Sequence, residues 1–248
     1  MNPNSFITAD WPAPTGLVAG TTTRVGGVSP APRDSLDLGA GGPAAAGTDV
    51  TANRALLTAE LDLVSAPVWL SQEHGARVAD ANHPVAHPAD AAVATDEQRV
   101  CAVLTADCLP ILLCDRHGHA WAAVHGGWRG LAAGVIAATV SAMPVAAERL
   151  LAWLGPAIGP SMFRVDTDVR DALLTDVPEA EHAFDPDGVR YRADLYAVAR
   201  AQLTRAGVGE IYGGDLCTYS DAGRFFSYRR DGATGRMASV IGWATTVA

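Results

Sequence analysis

The chain has 248 residues, of which 49% are hydrophobic and 18% charged, a composition too apolar for a disordered protein and sufficient for a large buried core. Its net charge is −9 and it contains no lysine, which argues against a protein that coats the phosphates of long nucleic acids and favours small-molecule partners. No stretch reads as a linker, a signal peptide or a membrane span. We therefore predict a single domain over residues 1–248, located in the cytoplasm, without nucleic-acid or membrane partners.

The first half of the chain contains a series of predicted strands. These runs of apolar and β-branched residues, bounded by Gly, Pro or polar residues, are Leu17–Thr23, Pro67–Ser71, Val100–Thr105, Pro110–Cys114 and Ala120–His125. The turn from Asp115 to Gly118 separates the last two runs and predicts a β-hairpin. Cys101 and Cys114 lie inside such runs, so we interpret both as small buried hydrophobic residues.

The second half of the chain combines helices with strands. A helix is predicted after Gly127, where apolar residues recur at helical spacing at Leu131, Val135, Ile136 and Val140. A second helix is predicted from an N-cap at Asp194 to a C-terminal stop at Gly207. Further strands are predicted over Leu150–Leu154, Arg224–Tyr228 and Met237–Trp243. Because the succession is not a strict βα alternation, we expect an α+β (mixed α/β) fold, with mixed β-sheets flanked by helices in one domain.

Three residues that can bind a metal follow or end predicted strands next to glycine or proline. They are His74, Cys108 and His125. One thiolate and two imidazoles suit Zn²⁺, and three protein ligands leave the fourth tetrahedral position open for water, as in catalytic zinc sites. A water bound there has a pKa of about 7 and supplies hydroxide at neutral pH. The spacing of the three residues is not a short local motif, so the residues alone leave a structural role open.

Several motifs, in order along nearly the whole chain, resemble those of the laccase-domain (multicopper polyphenol oxidase) family. They are Thr22 to Ser29, Gln72-Glu73-His74-Gly75, Thr105-Ala106-Asp107-Cys108-Leu109-Pro110, His125-Gly126-Gly127-Trp128-Arg129-Gly130, Gly155 to Pro160, and Phe225 to Arg230. The resemblance implies a zinc-dependent enzyme that phosphorolyses adenosine, inosine, guanosine or methylthioadenosine and hydrolytically deaminates adenosine. It also implies a sandwich related to Cys-His hydrolases and deamidases, with His74, Cys108 and His125 as the metal ligands.

Roles for other residues follow from those two reactions. Deamination needs a group that carries protons to the leaving ammonia, for which Asp107 or Glu73 is a candidate; Asp107 could instead orient a ligand imidazole. Phosphorolysis needs donors for phosphate, for which Arg24, Arg129 and Arg229 are candidates, Arg129 first because it lies at a predicted helix N-terminus. We predict Cys108, His125, Asp107 and Arg129 as catalytic residues. Arg24, Gln72 and Arg229 are predicted to bind purine nucleoside and phosphate.

Three other functions compete with this interpretation. Cys108 could be a nucleophile with His125 as its base, in an amidohydrolase that edits peptidoglycan precursors. Copper-dependent polyphenol oxidation ranks lower, because a blue-copper centre alone takes two histidines and a cysteine. This leaves five of the seven histidines for a trinuclear site, and those five fall in predicted loops and turns. Cu²⁺ can nevertheless replace Zn²⁺ at such ligands. A binding module without activity ranks last, because it has no need for an open metal position.

Overall fold

A computed structural model describes residues 5–39, 47–85 and 87–245. Its strands, in chain order, are β1 (Phe6–Thr8), β2 (Leu17–Thr22), β3 (Val68–Trp69), β4 (Val78–Asp80), β5 (Ala91–Ala94), β6 (Val100–Thr105), β7 (Leu109–Asp115), β8 (Trp121–Gly126), β9 (Leu150–Leu154), β10 (Arg164–Val165), β11 (Phe184–Asp187), β12 (Arg190–Ala193), β13 (Glu210–Gly213) and β14 (Met237–Trp243). Its α-helices are α1 (Thr48–Glu60), α2 (Trp128–Ala132), α3 (Val135–Ala142), α4 (Thr167–Asp176), α5 (Leu195–Arg205) and α6 (Tyr228–Asp231). Short 3-10 helices span Ala147–Arg149 and Pro178–Ala183.

The strands form two large sheets and one small sheet. The first large sheet has the order β1-β2-β14-β6-β3, and the second has the order β13-β9-β7-β8-β5-β4. Each contains both antiparallel and parallel pairs, since β14 runs antiparallel to β2 and β6 while β3 is parallel to β6. In the second sheet, β7 runs antiparallel to β8 and β9 while β13 is parallel to β9. The predicted α+β fold with mixed sheets is therefore confirmed.

The two large sheets pack face to face, and each carries helices on its outer face. Cys101 and Ile241 of the first sheet meet Leu112, Trp121 and Trp153 of the second sheet in one buried cluster. The outer face of the first sheet packs against α1, and that of the second packs against α2 to α5. Because both faces of the central strands are covered, β6 and β7 are buried along their whole length, which explains their continuous apolar sequences. The buried state predicted for Cys101 and Cys114 is confirmed.

Several predicted elements occur with the predicted bounds. The strands Val100–Thr105, Leu150–Leu154 and Met237–Trp243 match β6, β9 and β14, and the predicted hairpin joins β7 to β8. Asp194 caps α5 by accepting hydrogen bonds from the backbone N–H groups of Tyr196 and Ala197. The single helix predicted after Gly127 is instead two helices, α2 and α3, because Gly134 between them has φ +82°.

The strand predicted over Arg224–Tyr228 is wrong. Phe225 and Phe226 are fully buried in an irregular segment, and α6 begins at Tyr228. Because Phe225 and Phe226 are adjacent and both buried, the sequence contains a short apolar run there, and this run led to the prediction of a strand. The hydroxyl of Ser227 accepts a hydrogen bond from the Arg230 backbone N–H at 3.2 Å and so caps α6, which stands where the end of the strand was predicted.

Candidate metal centre

His74, Cys108 and His125 converge where the two large sheets meet. His74 lies in the loop between β3 and β4, Cys108 in the short turn between β6 and β7, and His125 near the end of β8. Their ligand atoms lie within 4.8 Å of one another, and Cys108 Sγ is 3.8 Å from His74 Nε2. The two imidazole rings are edge-on, with centroids 4.7 Å apart. His125 is buried, Cys108 is half-buried and His74 is exposed, so the group opens to solvent on the side of His74.

Asp90 holds two of these three residues in place. Its carboxylate accepts a hydrogen bond from the His125 ring, with Nδ1 and Oδ1 2.8 Å apart. The same carboxylate accepts from the backbone N–H groups of Glu73, His74 and Gly75 at 3.2, 2.9 and 2.7 Å. These bonds hold His74 in a left-handed backbone conformation, with φ +62°. The pairing of β5 with β8 brings Asp90 beside His125, whose backbone N–H donates to the Asp90 carbonyl at 2.7 Å.

The donor set fits a tetrahedral zinc ion. Zn–S bonds of about 2.3 Å and Zn–N bonds of about 2.0–2.1 Å at tetrahedral angles require S···N separations of about 3.6 Å, and the Cys108–His74 separation of 3.8 Å is close to that. Because Asp90 accepts from Nδ1 of His125, Nε2 remains for a metal. Gly127 leaves room beside the group, since a Cβ there would lie 2.7 Å from the His74 ring and 3.3 Å from Cys108 Sγ.

The charges of the group are coupled in the protein without metal. Burial opposes ionisation of the Cys108 thiol, but hydrogen bonds with His125 and His74 and their positive charge outweigh it and lower the pKa of Cys108 to about 6. Burial also opposes protonation of His125, but hydrogen bonds with Asp90 and Cys108 outweigh it and raise the pKa of His125 to about 9. The lowered pKa of Cys108 and the raised pKa of His125 both favour a thiolate–imidazolium pair.

A cavity of about 270 Å³ opens beside the three residues. Its walls include His74, Cys108 and His125 together with Gln72, Tyr228 and Arg236. Tyr228 is 62% exposed, so a large aromatic surface is free to contact a ligand. A larger groove of about 510 Å³ runs along β1 and β2 on another part of the surface. None of the described residues that line this groove is a histidine or a cysteine, so it does not carry the metal-binding chemistry.

Of two other predicted site residues, Gln72 lines this cavity and Asp107 does not. Gln72 lines the cavity, but its amide also donates to the Leu104 carbonyl and accepts from the Leu104 N–H, at 2.9 and 2.8 Å. Asp107 is buried, and its carboxylate accepts from the Thr218 hydroxyl and the Arg229 backbone N–H, both at 2.6 Å. The carboxylate that contacts an imidazole of the three-residue group is therefore that of Asp90, while Asp107 joins α6 to the Cys108 turn.

The three predicted phosphate-binding arginines do not line the cavity. Arg24 Nε donates to the Asp34 carbonyl and its guanidinium forms an ion pair with Asp34 at 3.4 Å. The Arg129 side chain is exposed, and its guanidinium stacks 4.5 Å above the centroid of the neighbouring Trp128 ring. The Arg229 side chain donates to the Arg164 carbonyl at 3.2 Å. Glu73, the alternative proton carrier, is exposed next to His74.

Sequence reasoning missed three residues of this site: Asp90, Tyr228 and Arg236. Asp90 follows a Pro-rich loop and carries no local pattern; its role depends on the pairing of β5 with β8. Arg236 reaches the cavity because Met237 pairs with Thr105, next to the Cys108 turn. Tyr228 belongs to the motif Phe225 to Arg230, and this motif was the one sequence feature that pointed to the region. The strand wrongly predicted there gave no indication that the Tyr228 side chain lies on the cavity wall.

Known proteins resemble this chain over almost its full length. A family model described as multi-copper polyphenol oxidoreductase laccase matches residues 18–244. The purine nucleoside phosphorylase YfiH of Shigella flexneri is 49% identical over 243 residues, covering 96% of this chain and 98% of that protein. The crystal structure of NMB0706 from Neisseria meningitidis superposes with a TM-score of 0.90 at 47% identity and covers 96% of this chain and 99% of that one.

A second solved structure shows the same fold at lower identity. YlmD from Geobacillus stearothermophilus gives a TM-score of 0.88 at 31% identity, covering 98% of this chain and 97% of that one. Among the described residues, no helix is long and apolar enough to cross a membrane. The family match, the curated relative and both structures agree with the motifs in the sequence. The chain belongs to the multi-copper polyphenol oxidoreductase laccase family.

Proposed function

We propose that the protein is a zinc-dependent purine nucleoside phosphorylase that also deaminates adenosine. The observation that carries this proposal is the convergence of His74, Cys108 and His125 beside an open cavity. The name of the Shigella relative supports the phosphorylase activity. The proposed substrates are adenosine, inosine, guanosine and methylthioadenosine, with phosphate as the second substrate of the cleavage reaction.

In this proposal His74, Cys108 and His125 hold the zinc ion, which when bound acts as a Lewis acid and lowers the pKa of water to about 7. Asp90 keeps the His125 ring in the orientation that presents Nε2, because its carboxylate accepts the proton on Nδ1. Tyr228 presents an exposed ring on the cavity wall, where it can stack on a purine.

Copper is the alternative occupant, because the same soft thiolate and imidazole ligands bind Cu²⁺ tightly. The family description refers to copper chemistry. Polyphenol oxidation by several coppers would need further clusters of ligands, and in the described part of the chain His74, Cys108 and His125 are the one group of three or more that can hold an ion. We therefore assign copper as a substitute at the zinc position and place polyphenol oxidation below nucleoside cleavage.

A second candidate function rests on a different observation. The lowered pKa of Cys108, about 6, and the raised pKa of His125, about 9, describe an activated thiolate beside an imidazolium. That pair suits an amidohydrolase in which Cys108 attacks the carbonyl carbon and His125 protonates the leaving amine. Its proposed substrate is a misincorporated amide of a peptidoglycan precursor. Chelation distinguishes the two candidates, because this enzyme needs a free Cys108 whereas the phosphorylase needs zinc.

Product analysis by chromatography tests the proposed function. Zinc-reconstituted protein is incubated with adenosine, with and without phosphate. We expect adenine when phosphate is present and inosine when phosphate is absent. Cys108→Ala should form neither product, whereas Cys217→Ala, which removes the other half-buried cysteine, should form both. Absence of both products from the wild-type protein would favour the amidohydrolase.

A further inference from the structure

The cavity beside the metal-ligand group has one guanidinium on its wall, that of Arg236. Its Nη1 donates to the carbonyls of Thr234 and Gly235 at 3.1 and 3.0 Å. Within residues 5–39, 47–85 and 87–245, Nε and Nη2 have no hydrogen-bond partner and no carboxylate lies within 4 Å of the guanidinium. Arg236 therefore carries two unused donor groups and an uncompensated positive charge at the cavity.

The backbone of Arg236 is held rigidly. Its N–H donates to the buried carboxylate of Asp37 at 2.9 Å, and its carbonyl accepts from the Leu38 N–H at 3.1 Å. The next residue, Met237, begins β14 and pairs with Thr105 of β6. Because Asp37 and the strand register fix the backbone and the two Nη1 hydrogen bonds hold the guanidinium, the Arg236 side chain is preorganised beside the cavity.

Thr105 supplies a second, independent indication of a ligand. The residue is 1% exposed and lines the same cavity, yet among the described residues its hydroxyl has no hydrogen-bond partner. A buried hydroxyl without a partner is unfavourable, and native proteins usually satisfy such groups with protein, water or ligand. Thr105 pairs with Met237, the chain neighbour of Arg236, across the β6–β14 pair, and both Thr105 and Arg236 line the cavity, so an anionic ligand bound there lies beside both residues.

The geometry points to Arg236 and Thr105 as the subsite for inorganic phosphate, and this inference rests on the proposed phosphorolysis. An oxygen of hydrogen phosphate attacks C1′ of the ribose, the C1′–N9 bond breaks, and its electron pair goes to N9. The proton of hydrogen phosphate moves to the departing purine, which leaves ribose 1-phosphate and the free base. Arg236 is suited to this role because a planar guanidinium donates two parallel hydrogen bonds to phosphate oxygens.

Phosphate binding is measured directly, without turnover. Inorganic phosphate is titrated with the zinc-loaded protein and followed by the broadening of its ³¹P resonance. Arg236→Gln should weaken binding by about tenfold or more, because it removes a charge-assisted bidentate contact. Arg205→Gln removes an arginine that pairs with Glu179 on the surface, and this variant should bind phosphate as the wild type does.

Two further measurements separate the phosphate subsite from alternatives. Thr105→Val should weaken phosphate binding by roughly threefold without lowering the unfolding midpoint of the unliganded protein, since the hydroxyl has no partner to lose. Adenosine binding, measured by equilibrium dialysis, should be the same in Arg236→Gln and the wild type. An equal loss of adenosine binding would place Arg236 in the nucleoside site and overturn the inference.

The outcomes also distinguish the inference from the proposed function. Wild-type protein that does not bind phosphate, or Arg236→Gln that binds it as tightly as the wild type, overturns the subsite. Phosphate binding that depends on Arg236 in a protein that cleaves no nucleoside upholds the subsite and refutes the phosphorylase.

Discussion

Replacing Asp90 by asparagine tests whether this carboxylate organises the metal centre. Each Asp90 oxygen accepts two hydrogen bonds: Oδ1 from His74 N and His125 Nδ1, and Oδ2 from the backbone of Glu73 and Gly75. An amide retains one acceptor oxygen, so whichever way it turns, two N–H donors lose their partner. At about 1–2 kcal/mol for each donor, the variant should lose about 2–4 kcal/mol of unfolding free energy.

Zinc affinity should fall as well, because the His125 ring loses the group that orients it. The loss expected for a partner of a metal-binding histidine is about 10- to 100-fold. The matched control is Asp80→Asn, which disrupts a His–Asp contact of 2.9 Å with His83 that is solvent-exposed. That substitution should cost less than about 1 kcal/mol and leave zinc affinity unchanged.

Both quantities are measured on the same preparations. Urea unfolding of the metal-free protein gives the free energy, and competition with a chromophoric chelator gives the zinc affinity. If Asp90→Asn matched Asp80→Asn in both measurements, the reasoning about Asp90 would be refuted. A loss of stability with unchanged zinc affinity would show that Asp90 supports the loop but does not orient the ligands.

Three further predictions follow from other parts of the molecule. Gly127→Ala should reduce zinc affinity at least about tenfold, because its Cβ would lie 2.7 Å from the His74 ring, whereas Gly209→Ala, with no atom within 4 Å of the new Cβ, should not; equal affinities in chelator competition would contradict this. In metal-free protein, the pKa of Cys108 is lowered to about 6, so its rate of reaction with iodoacetamide should be nearly constant between about pH 8 and pH 7 and should fall only towards pH 6. Bound zinc should protect Cys108 from this reaction. A tenfold fall in the rate between about pH 8 and pH 7, measured by mass spectrometry, would contradict the prediction. Asp194→Ala should destabilise the protein by about 1 kcal/mol through loss of the α5 N-cap, with unchanged zinc affinity; an unchanged urea midpoint would count against that cap.

Local patterns were sufficient to predict the elements that the chain specifies by itself. The turn from Asp115 to Gly118 identified the hairpin, and the cap at Asp194 identified the start of α5. Buried central strands such as β6 were recognisable because both faces are covered and the sequence is apolar throughout. The run around Phe225 was misread for the same reason, since buried aromatic residues in an irregular segment produce a similar pattern.

The sequence predicted those site residues whose side chains can bind a metal and which also lie near the end of a predicted strand. His74, Cys108 and His125 stand beside glycine or proline near strand ends, and the structure brings them within 4.8 Å of one another. Their role as zinc ligands remains a prediction. Asp90 and Arg236 could not be identified locally, because each reaches the site through strand pairing between segments far apart in sequence.

In the proposed reaction, nucleoside cleavage depends on a metal held by His74, Cys108 and His125. The most direct test of this dependence is the phosphate-dependent release of hypoxanthine from inosine by protein stripped of metal and then reconstituted with zinc. We expect stripping to abolish the release and a stoichiometric amount of zinc to restore it. Full activity in the stripped protein, abolished by alkylation of Cys108, would rule out a metal-dependent cleavage and identify Cys108 as a nucleophile.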